Sequence, residues 1–512
     1  MPGRLPEVPP LAPETYRWEK SKTDPRVLQR RANGAEVLVG IRDNNIKGQY
    51  DLYLMTTLRI NNLSTATALS LSSLKEKLQP ALLEIRFKHP EIACTVLWDN
   101  QVAPVIQYTP PENSKDAHTW AHNTVHILAT SKTGVDARTE VEQRRRLVGS
   151  QPAKPVSIYI VADVANEDTP LTPGTVVDVL MHMNHLYWDG ISVRMFAGDL
   201  LRSLSQNLGV EQKPSQYQWG EEIANLGVPV LDALDIDIGS LGDDFNTARD
   251  DNVRFSWGLR CRAKTGTPRT IFHTFTVPES ETMIRAVKSR LGPKYTISHL
   301  GHAATVLALL KANPPSNDIP DSQSLIMPIP VNGRRWLRDD HARDYYGMCQ
   351  TGAVIKIKNI KFFMVDGNDR DAVVEALERG CKLVKEAYDH WMSKPFLLAL
   401  GISKDNFIAS YLTSPKESVP FGGMAHAIFV SDGMNDRFIP GDVTSAATGE
   451  KLMSVENVSF FLNKYLPSMS FRLDSWKGAS TLSLCYNDGS YTAEEATTWL
   501  QYLATYMLAF AQ

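Results

Sequence analysis

TVVDVLMHMNHLYWDGISVRMFAGDLLRSL, residues 175–204, sets the architecture expected of this chain. Apolar residues run almost unbroken toward Trp188 and stop at Asp189-Gly190. Met195, Phe196, Leu200 and Leu204 then recur at the spacing of one helix face. Pro173, just ahead, suits the first turn of a helix, so the entering run is expected to be helical as well. Inside the stretch, His185-Leu186-Tyr187-Trp188-Asp189-Gly190 has the form HxxxDG, three fixed positions that are only moderately specific alone. Their setting adds weight: an apolar run feeds in and an amphipathic helix leaves. His185 is thereby placed at the end of an element, where it can face a cavity, and Asp189-Gly190 is the corner. An unperturbed imidazole, with a pKa of about 6.5, is mostly neutral at pH 7 and can take a proton from an alcohol. A base so placed contributes roughly 10²–10⁴ in rate. Spacing alone fits a hydrogen-bonded core histidine equally well.

Working outward toward the N-terminus, PVSIYIVADV (155–164) and IACTVLW (92–98) read as strands and residues 135–150 as a charged helix ending at Gly149. Leu71, Leu74, Leu78, Leu82 and Ile85 recur at helical spacing between Leu69 and His89, and Pro90 stops that helix. Tyr50 to Ile60 is strand-like, and the proline-rich first twenty residues read as an extended arm. Toward the C-terminus, the polar stretch 205–265 is the composition shift expected of a crossover. Beyond it TIFHTFTV (270–277), SLIMPIPV (324–331), AVIKIKNIKFFMV (353–365), MAHAIFVS (424–431) and STLSLCYND (480–488) read as strands. Segments 278–292, 298–312 and 493–510 read as helices. The expected fold is α/β (α+β), two lobes each built from a mixed sheet flanked by helices: 1–204 with HxxxDG, 205–265 as linker, 266–512 as the second lobe. No 20–50-residue repeat marks a solenoid or propeller.

At 512 residues the chain suits two or three domains, and 43% hydrophobic with 22% charged residues supplies buried cores and excludes collagen-like or long disordered chains. Lys+Arg at 54 against Asp+Glu at 57 lacks the basic footprint of a nucleic-acid binder. Cys94, Cys261, Cys349, Cys381 and Cys485 lie far apart with no CxxC pair, which fits reduced intracellular thiols rather than a disulfide frame or zinc ribbon. The N-terminus has no signal-peptide core, and no run reaches the ~18 apolar residues of a membrane span. A cytoplasmic protein with no membrane partner is expected, and the sequons at Asn62 and Asn457 then read as chance.

HLYWDG in this setting resembles the HxxxDG acyltransferase superfamily of condensation domains and plant-type acyltransferases, which shares the fold of chloramphenicol acetyltransferase. Val331-Asn332-Gly333-Arg334 falls where that superfamily carries V-D-x-R. Leu473-Asp474-Ser475-Trp476-Lys477-Gly478 occupies the place of its D-F-G-W-G segment, before a strand and closing helix. The likeness runs from about residue 45 to the C-terminus and is nearest to the fungal trichothecene 15-O-acetyltransferases. It implies an active site between two chloramphenicol-acetyltransferase-like lobes, with acetyl-CoA as co-substrate entering from one face and an acceptor alcohol from the other. His185 would be the general base for direct attack on the thioester, with no covalent acyl-enzyme. Asp189 would orient the motif loop through Arg334, Gly190 would permit the tight corner, and Asp474, Trp476 and Gly478 would give structural support. The implied reaction is acetyl transfer in fungal secondary metabolism to a terpenoid hydroxyl, that at C-15 of a trichothecene, by a monomer. The alternatives are a CoA-dependent acyltransferase with another alcohol or amine acceptor, or a relative that binds without turnover.

The chain departs from the pattern at three places. Asn332 stands where aspartate is usual. DSWKG keeps only the first Asp and last Gly of D-F-G-W-G in register. Asn184 precedes the motif where peptide-forming condensation domains carry a second histidine, which argues against peptide-bond formation. Other signals are weaker. His118, His122 and His126 would share one helix face, but NTVHILAT (123–130) reads better as a strand, and no metal is expected. Arg144-Arg145-Arg146 reads as a solvated face. FGGM (421–424), SDGMND (431–436) and YNDG (486–489) read as turns, and no GxSxG or Walker loop is present. Neither the CoA-contacting residues nor the oxyanion donor has a sequence signature.

Overall fold

A computed structural model of the chain describes residues 11–61, 69–98, 104–147, 154–208, 217–250, 257–262, 265–316, 319–320, 323–365, 369–413 and 424–512. The run entering the motif is a strand, Val176–Met183, and not a helix. Pro173 lies in the loop before it, next to Gly174 at φ 89. The strand is paired antiparallel on both sides, with Leu52–Ile60 and with Val156–Ala162. Its last five residues are all buried, so its sequence shows no alternation, and periodicity cannot tell such a strand from a buried helix.

Six strands form this first sheet, in the order Asp442–Thr444, Lys451–Leu462, Leu52–Ile60, Val176–Met183, Val156–Ala162, Val125–Ala129. Two of them come from beyond residue 440. Strand Lys451–Leu462 pairs antiparallel with all of Leu52–Ile60, so the sheets do not divide at the lobe boundary expected at residue 266. Helix Gly190–Asn207 leaves the motif as its amphipathic spacing predicts. It buries Val193, Phe196, Leu200 and Leu204 and packs against helix Leu71–Lys88.

Gly198, in the middle of that helix, lies against a loop from the C-terminal part of the chain. A Cβ there would stand 2.0 Å from the Phe438 carbonyl oxygen. Alanine in a helix interior normally gains roughly 0.5–1 kcal/mol over glycine, but overpacking a core costs about 1–3 kcal/mol. The obstacle is backbone and cannot swing aside, so the second effect wins. Gly198→Ala is expected to lower the midpoint of chemical unfolding; an unchanged or raised midpoint would show that the close approach is dispensable.

The second sheet runs Pro268–Thr274, Ala479–Asn487, Met469–Trp476, Ala427–Met434, with the last pair parallel. Helices Val277–Leu291, Ile297–Ala312 and Ala493–Ala511 pack beside it, and Arg370–Met392 packs against the last two. Ile297–Ala312 is buried almost all round, as its uniformly apolar sequence requires. A ribbon of Ser324–Asn332 with Gln350–Lys358 adjoins strand Ala427–Met434 and ends at the 3-10 turn Gly333–Trp336.

Several expected elements are shorter than their sequences suggest. In 353–365 the strand ends at Lys358, where Asn359 adopts φ 56 and a 3-10 turn follows. In 92–98 only Thr95–Leu97 is strand. The N-terminal arm is not simply extended: Pro13–Tyr16 forms a 3-10 turn that buries Tyr16 in the core of the second lobe. Helices Gly34–Asn45, Ser114–Thr124, Arg370–Met392 and Leu397–Thr413 are not announced by the segments above. Residues 1–10, the Asn62 sequon, Gly149, residues 421–423 and parts of the crossover lie outside the described residues. Among the described residues no helix is long and apolar enough to cross a membrane.

Candidate active site

His185 stands two residues beyond the end of a central strand. Asn184, in the position of the absent second histidine, makes the turn: its backbone N–H donates to Pro155 O (3.1 Å) and its Oδ1 accepts from Leu186 N–H (2.8 Å). Buried Trp188 anchors the loop through Nε1–H to Pro155 O (2.9 Å). The Nδ1 of His185 lies 2.5 Å from the Trp188 carbonyl oxygen. A carbonyl only accepts, so Nδ1 carries the proton and the Nε2 lone pair stays available. Burial lowers the His185 pKa below its ordinary value, while the Trp188 carbonyl and the Asp189 charge pull the other way.

Asp189 is saturated as an acceptor. Its Oδ1 takes the N–H groups of Ile191 (2.9 Å) and Ser192 (2.8 Å), capping helix Gly190–Asn207, and also the Ser192 hydroxyl (2.9 Å). Its Oδ2 takes Arg334 Nη1 (2.9 Å) and the Cys349 N–H (2.9 Å). Burial alone would raise this carboxyl's pKa; the Arg334 charge, helped by the hydrogen bonds from Ser192 and Cys349, brings it below the ordinary value. With both oxygens occupied, this group anchors the loop and has no proton to give.

Arg334, 5% exposed, spends its remaining donors on Tyr345 O, Gly347 O and the Ser192 hydroxyl. Asn332 Oδ1 accepts from both the Arg334 backbone N–H (3.1 Å) and Nη1 (3.2 Å). The amide thus does the accepting that an aspartate would do, without a second negative charge. Among the described residues Asp189 is the carboxylate paired with this guanidinium. Gly190 has helical backbone with no positive φ, and a Cβ there would meet nothing nearer than 3.4 Å. The corner therefore does not demand glycine sterically; instead Gly190 borders the cavity.

The late DSWKG segment meets the motif through a residue that the sequence patterns missed. Arg194, fully buried one turn after Gly190, donates to Gly190 O (2.7 Å) and Asn435 Oδ1 (2.7 Å). Its Nη2 faces Asp432 (3.4 Å) and Asp474 (3.8 Å), and Asp432 also pairs with Arg472. Burial pushes Asp474 up to about 6, with Arg194 pulling it back and Asp432 adding to the rise. Trp476 pairs with Ala479 across a two-residue loop in which Lys477 (φ 48) and Gly478 (φ 82) both have positive φ, the type I′ turn that suits a tight hairpin. Trp476 itself is buried in the core of the first lobe. An arginine on the otherwise apolar face of an amphipathic helix was the available sign of Arg194.

Between the lobes lies a cavity of about 310 Å³. His185 and Ile191 border it from the motif, Ile329 and Val331 from the ribbon, Leu38 from helix Gly34–Asn45, and Phe460 from the crossing strand. Its polar wall includes Asp405, pushed up to about 7 by burial, together with Lys464 and Arg472. Other sequence candidates lie elsewhere. His118 bonds Ser114 O, His122 bonds the Gln79 amide, and His126 stacks on Tyr159 in a separate strand. Among the described residues no three His, Cys, Asp or Glu side chains form a group that could hold a metal. None of the five cysteines forms a disulfide, and Cys349 serves the site through its backbone N–H.

Residues 8–409 match the family described as 15-O-acetyltransferase Tri3. The chain is 48% identical to trichothecene O-acetyltransferase TRI3 of Trichoderma arundinaceum, over 100% of each chain. It is 43% identical to trichothecene 15-O-acetyltransferase TRI3 of Fusarium sporotrichioides, over 98% of each. The solved structure of the TRI3 trichothecene 15-O-acetyltransferase from Fusarium sporotrichioides superposes with a TM-score of 0.92 at 41% identity, covering 99% of both chains. The first condensation domain of the calcium-dependent antibiotic synthetase shares the fold, with a TM-score of 0.59 at 12% identity over 94% of this chain and 97% of that one.

Proposed function

The chain belongs to the 15-O-acetyltransferase Tri3 family, and on that premise we propose that it transfers the acetyl group of acetyl-CoA to the C-15 hydroxyl of a trichothecene in secondary metabolism. The observation that carries the chemistry is the imidazole of His185, its Nδ1–H held by the Trp188 carbonyl and its side chain bordering the interlobe cavity. In the proposed reaction Nε2 takes the proton of the acceptor hydroxyl as its oxygen attacks the thioester carbonyl carbon. The C–S bond then breaks, and the departing thiolate recovers the proton from the imidazolium. No nucleophilic side chain is needed. Burial pushes the Cys349 thiol up to about 12, so it supplies no thiolate near neutral pH.

The apolar lining, with Leu38, Ile329, Val331 and Phe460, suits a terpenoid skeleton, and a few placed polar groups would fix its orientation. Asp189 and Arg334 hold the motif loop, and Arg194 with Asp474 ties the late segment to the same helix. Gly478 and Trp476 form and bury the hairpin that carries Asp474. In this reading the protein works as a monomer in the cytoplasm.

Release of free thiol from acetyl-CoA, followed with a thiol reagent, tests this reading. The purified protein is expected to release thiol only when a 15-hydroxy trichothecene is present, with a product heavier by one acetyl group at C-15. Thiol release indifferent to that acceptor, or acetylation at another hydroxyl, would overturn it.

A further inference from the structure

Attack on a thioester puts negative charge on its carbonyl oxygen, and a site that accelerates this needs a donor already aimed at that oxygen. Three features converge on one such group. Leu52 pairs with Met183 on one side and with Leu462 on the other. Two residues past Met183 comes His185; two past Leu462 comes Lys464; and two before Leu52 comes Tyr50. All three border the same cavity. The three residues extend paired strand ends at one edge of the sheet and meet at that cavity.

Tyr50 is held in an unusual backbone. Its φ is 71, uncommon for any residue but glycine and costly for a bulky one. The Tyr50 N–H donates to Asn463 O (3.1 Å) while the Asn463 N–H donates to Asp51 O (3.0 Å), so two residues oppose one, as in a bulge whose first position is normally glycine. Backbone in that state persists only where its surroundings hold it, and such positions cluster at functional sites.

Lys464 is the third feature. It is 1% exposed, and among the described residues no carboxylate lies within salt-bridge distance of its ammonium. The ammonium sits 4.8 Å from the centroid of the Tyr50 ring. The neighbouring cation Arg472 differs, because Asp432 already pairs with it. A lysine this deeply buried without a carboxylate is expensive unless something with negative charge comes to it. Burial pushes its pKa down, with Tyr50 opposing the fall and Arg472 adding to it.

We propose that Lys464, seated on the Tyr50 ring, is the donor to the thioester carbonyl oxygen in the acyl transfer. As the acceptor's O–H proton passes to His185 Nε2 and the new C–O bond forms, the C=O π pair moves onto the carbonyl oxygen, which accepts a hydrogen bond from the Lys464 Nζ–H. When that pair returns, the C–S bond breaks and the thiolate takes the proton from His185. Lys464 keeps its own protons throughout. This assignment rests on the acetyltransferase reading above and adds to it the group that stabilises the charge.

The test compares Lys464→Met and Lys464→Arg with the wild type in full-length protein. Methionine fills the volume without a charge to bury, so folding is expected to hold. Steady-state kinetics with acetyl-CoA and a 15-hydroxy trichothecene should show kcat lower by roughly 10²–10³ in Lys464→Met. The acetyl-CoA dissociation constant, from equilibrium dialysis, should stay within about threefold. Lys464→Arg should recover at least tenfold of the lost kcat. A kcat within fivefold of wild type in Lys464→Met overturns the assignment and leaves the acetyltransferase reading standing. So does a loss confined to KM for the acceptor. A wild type that transfers no acetyl group overturns both.

Discussion

His185→Ala is expected to lower kcat by about 10²–10⁴ while leaving the fold in place. The imidazole makes one hydrogen bond, to the Trp188 carbonyl, so its removal costs the protein on the order of 1 kcal/mol. The loop keeps its anchors in Trp188 Nε1–H, Asn184 and the Asp189 cap. What is lost is the base, and with it the pH dependence the base imposes. The group must be neutral to accept a proton, so kcat/KM should be flat at neutral pH and fall as the medium turns acid. Burial lowers the His185 pKa, and the Trp188 carbonyl and Asp189 oppose that only in part. The midpoint of the fall should therefore lie below the ordinary 6.5. A rate profile with its midpoint above that value, or an unchanged acid limb in His185→Ala, would show that another group accepts the proton.

This histidine is legible in the sequence because HxxxDG packs a cavity-facing imidazole, a cap and a helix start into six residues. All the consequences are local. The helix after the motif was legible for the same reason: one face of Gly190–Asn207 is apolar at a period of 3.6. The strand before it was not, since Val176–Met183 is buried over its inner length and a fully buried strand shows no period of two. Long-range pairing was harder still. Nothing local in Lys451–Leu462 says that it joins a sheet begun at residue 52, because the register is set by partners some 400 residues away. Arg194, Asp432 and Lys464 escaped for a related reason. Each is a charged residue whose meaning lies in what it is buried against, and the partners come from other segments. Asp474, Trp476 and Gly478 were visible only through resemblance, and their geometry was open until the hairpin and the Arg194 contact were seen.

Asp189→Ala should cost more stability than Arg334→Met, although both break the same ion pair. Removing one partner of a buried pair typically costs about 3–5 kcal/mol, because the other is left charged and unpaired. The two survivors here are not equally stranded. In Arg334→Met the carboxylate of Asp189 still accepts from the Ile191, Ser192 and Cys349 N–H groups and from the Ser192 hydroxyl. In Asp189→Ala the Arg334 guanidinium keeps neutral oxygens from Asn332, Tyr345 and Gly347 but no negative charge, and three backbone N–H groups lose their acceptor at once. Losing the helix cap adds roughly 0.5–2 kcal/mol to the first variant alone. Urea unfolding of the two single variants and the double variant should therefore rank Asp189→Ala below Arg334→Met. The double should be less destabilised than the sum of the singles, since the stranded charge is gone. Activity should fall in both, because a shift of about 1 Å in a positioned base can cost 10²-fold. The pH response carries the sign of a depressed carboxyl. Asp189 contributes stability above its unfolded value near 3.9 and loses it as pH falls through its lower folded value, so the lock is intact at neutral pH and weakens only in acid. Equal stability losses in the two singles would mean that the cap and the Cys349 contact add nothing to the salt bridge, and that Asp189 serves the site only as the counter-charge of Arg334.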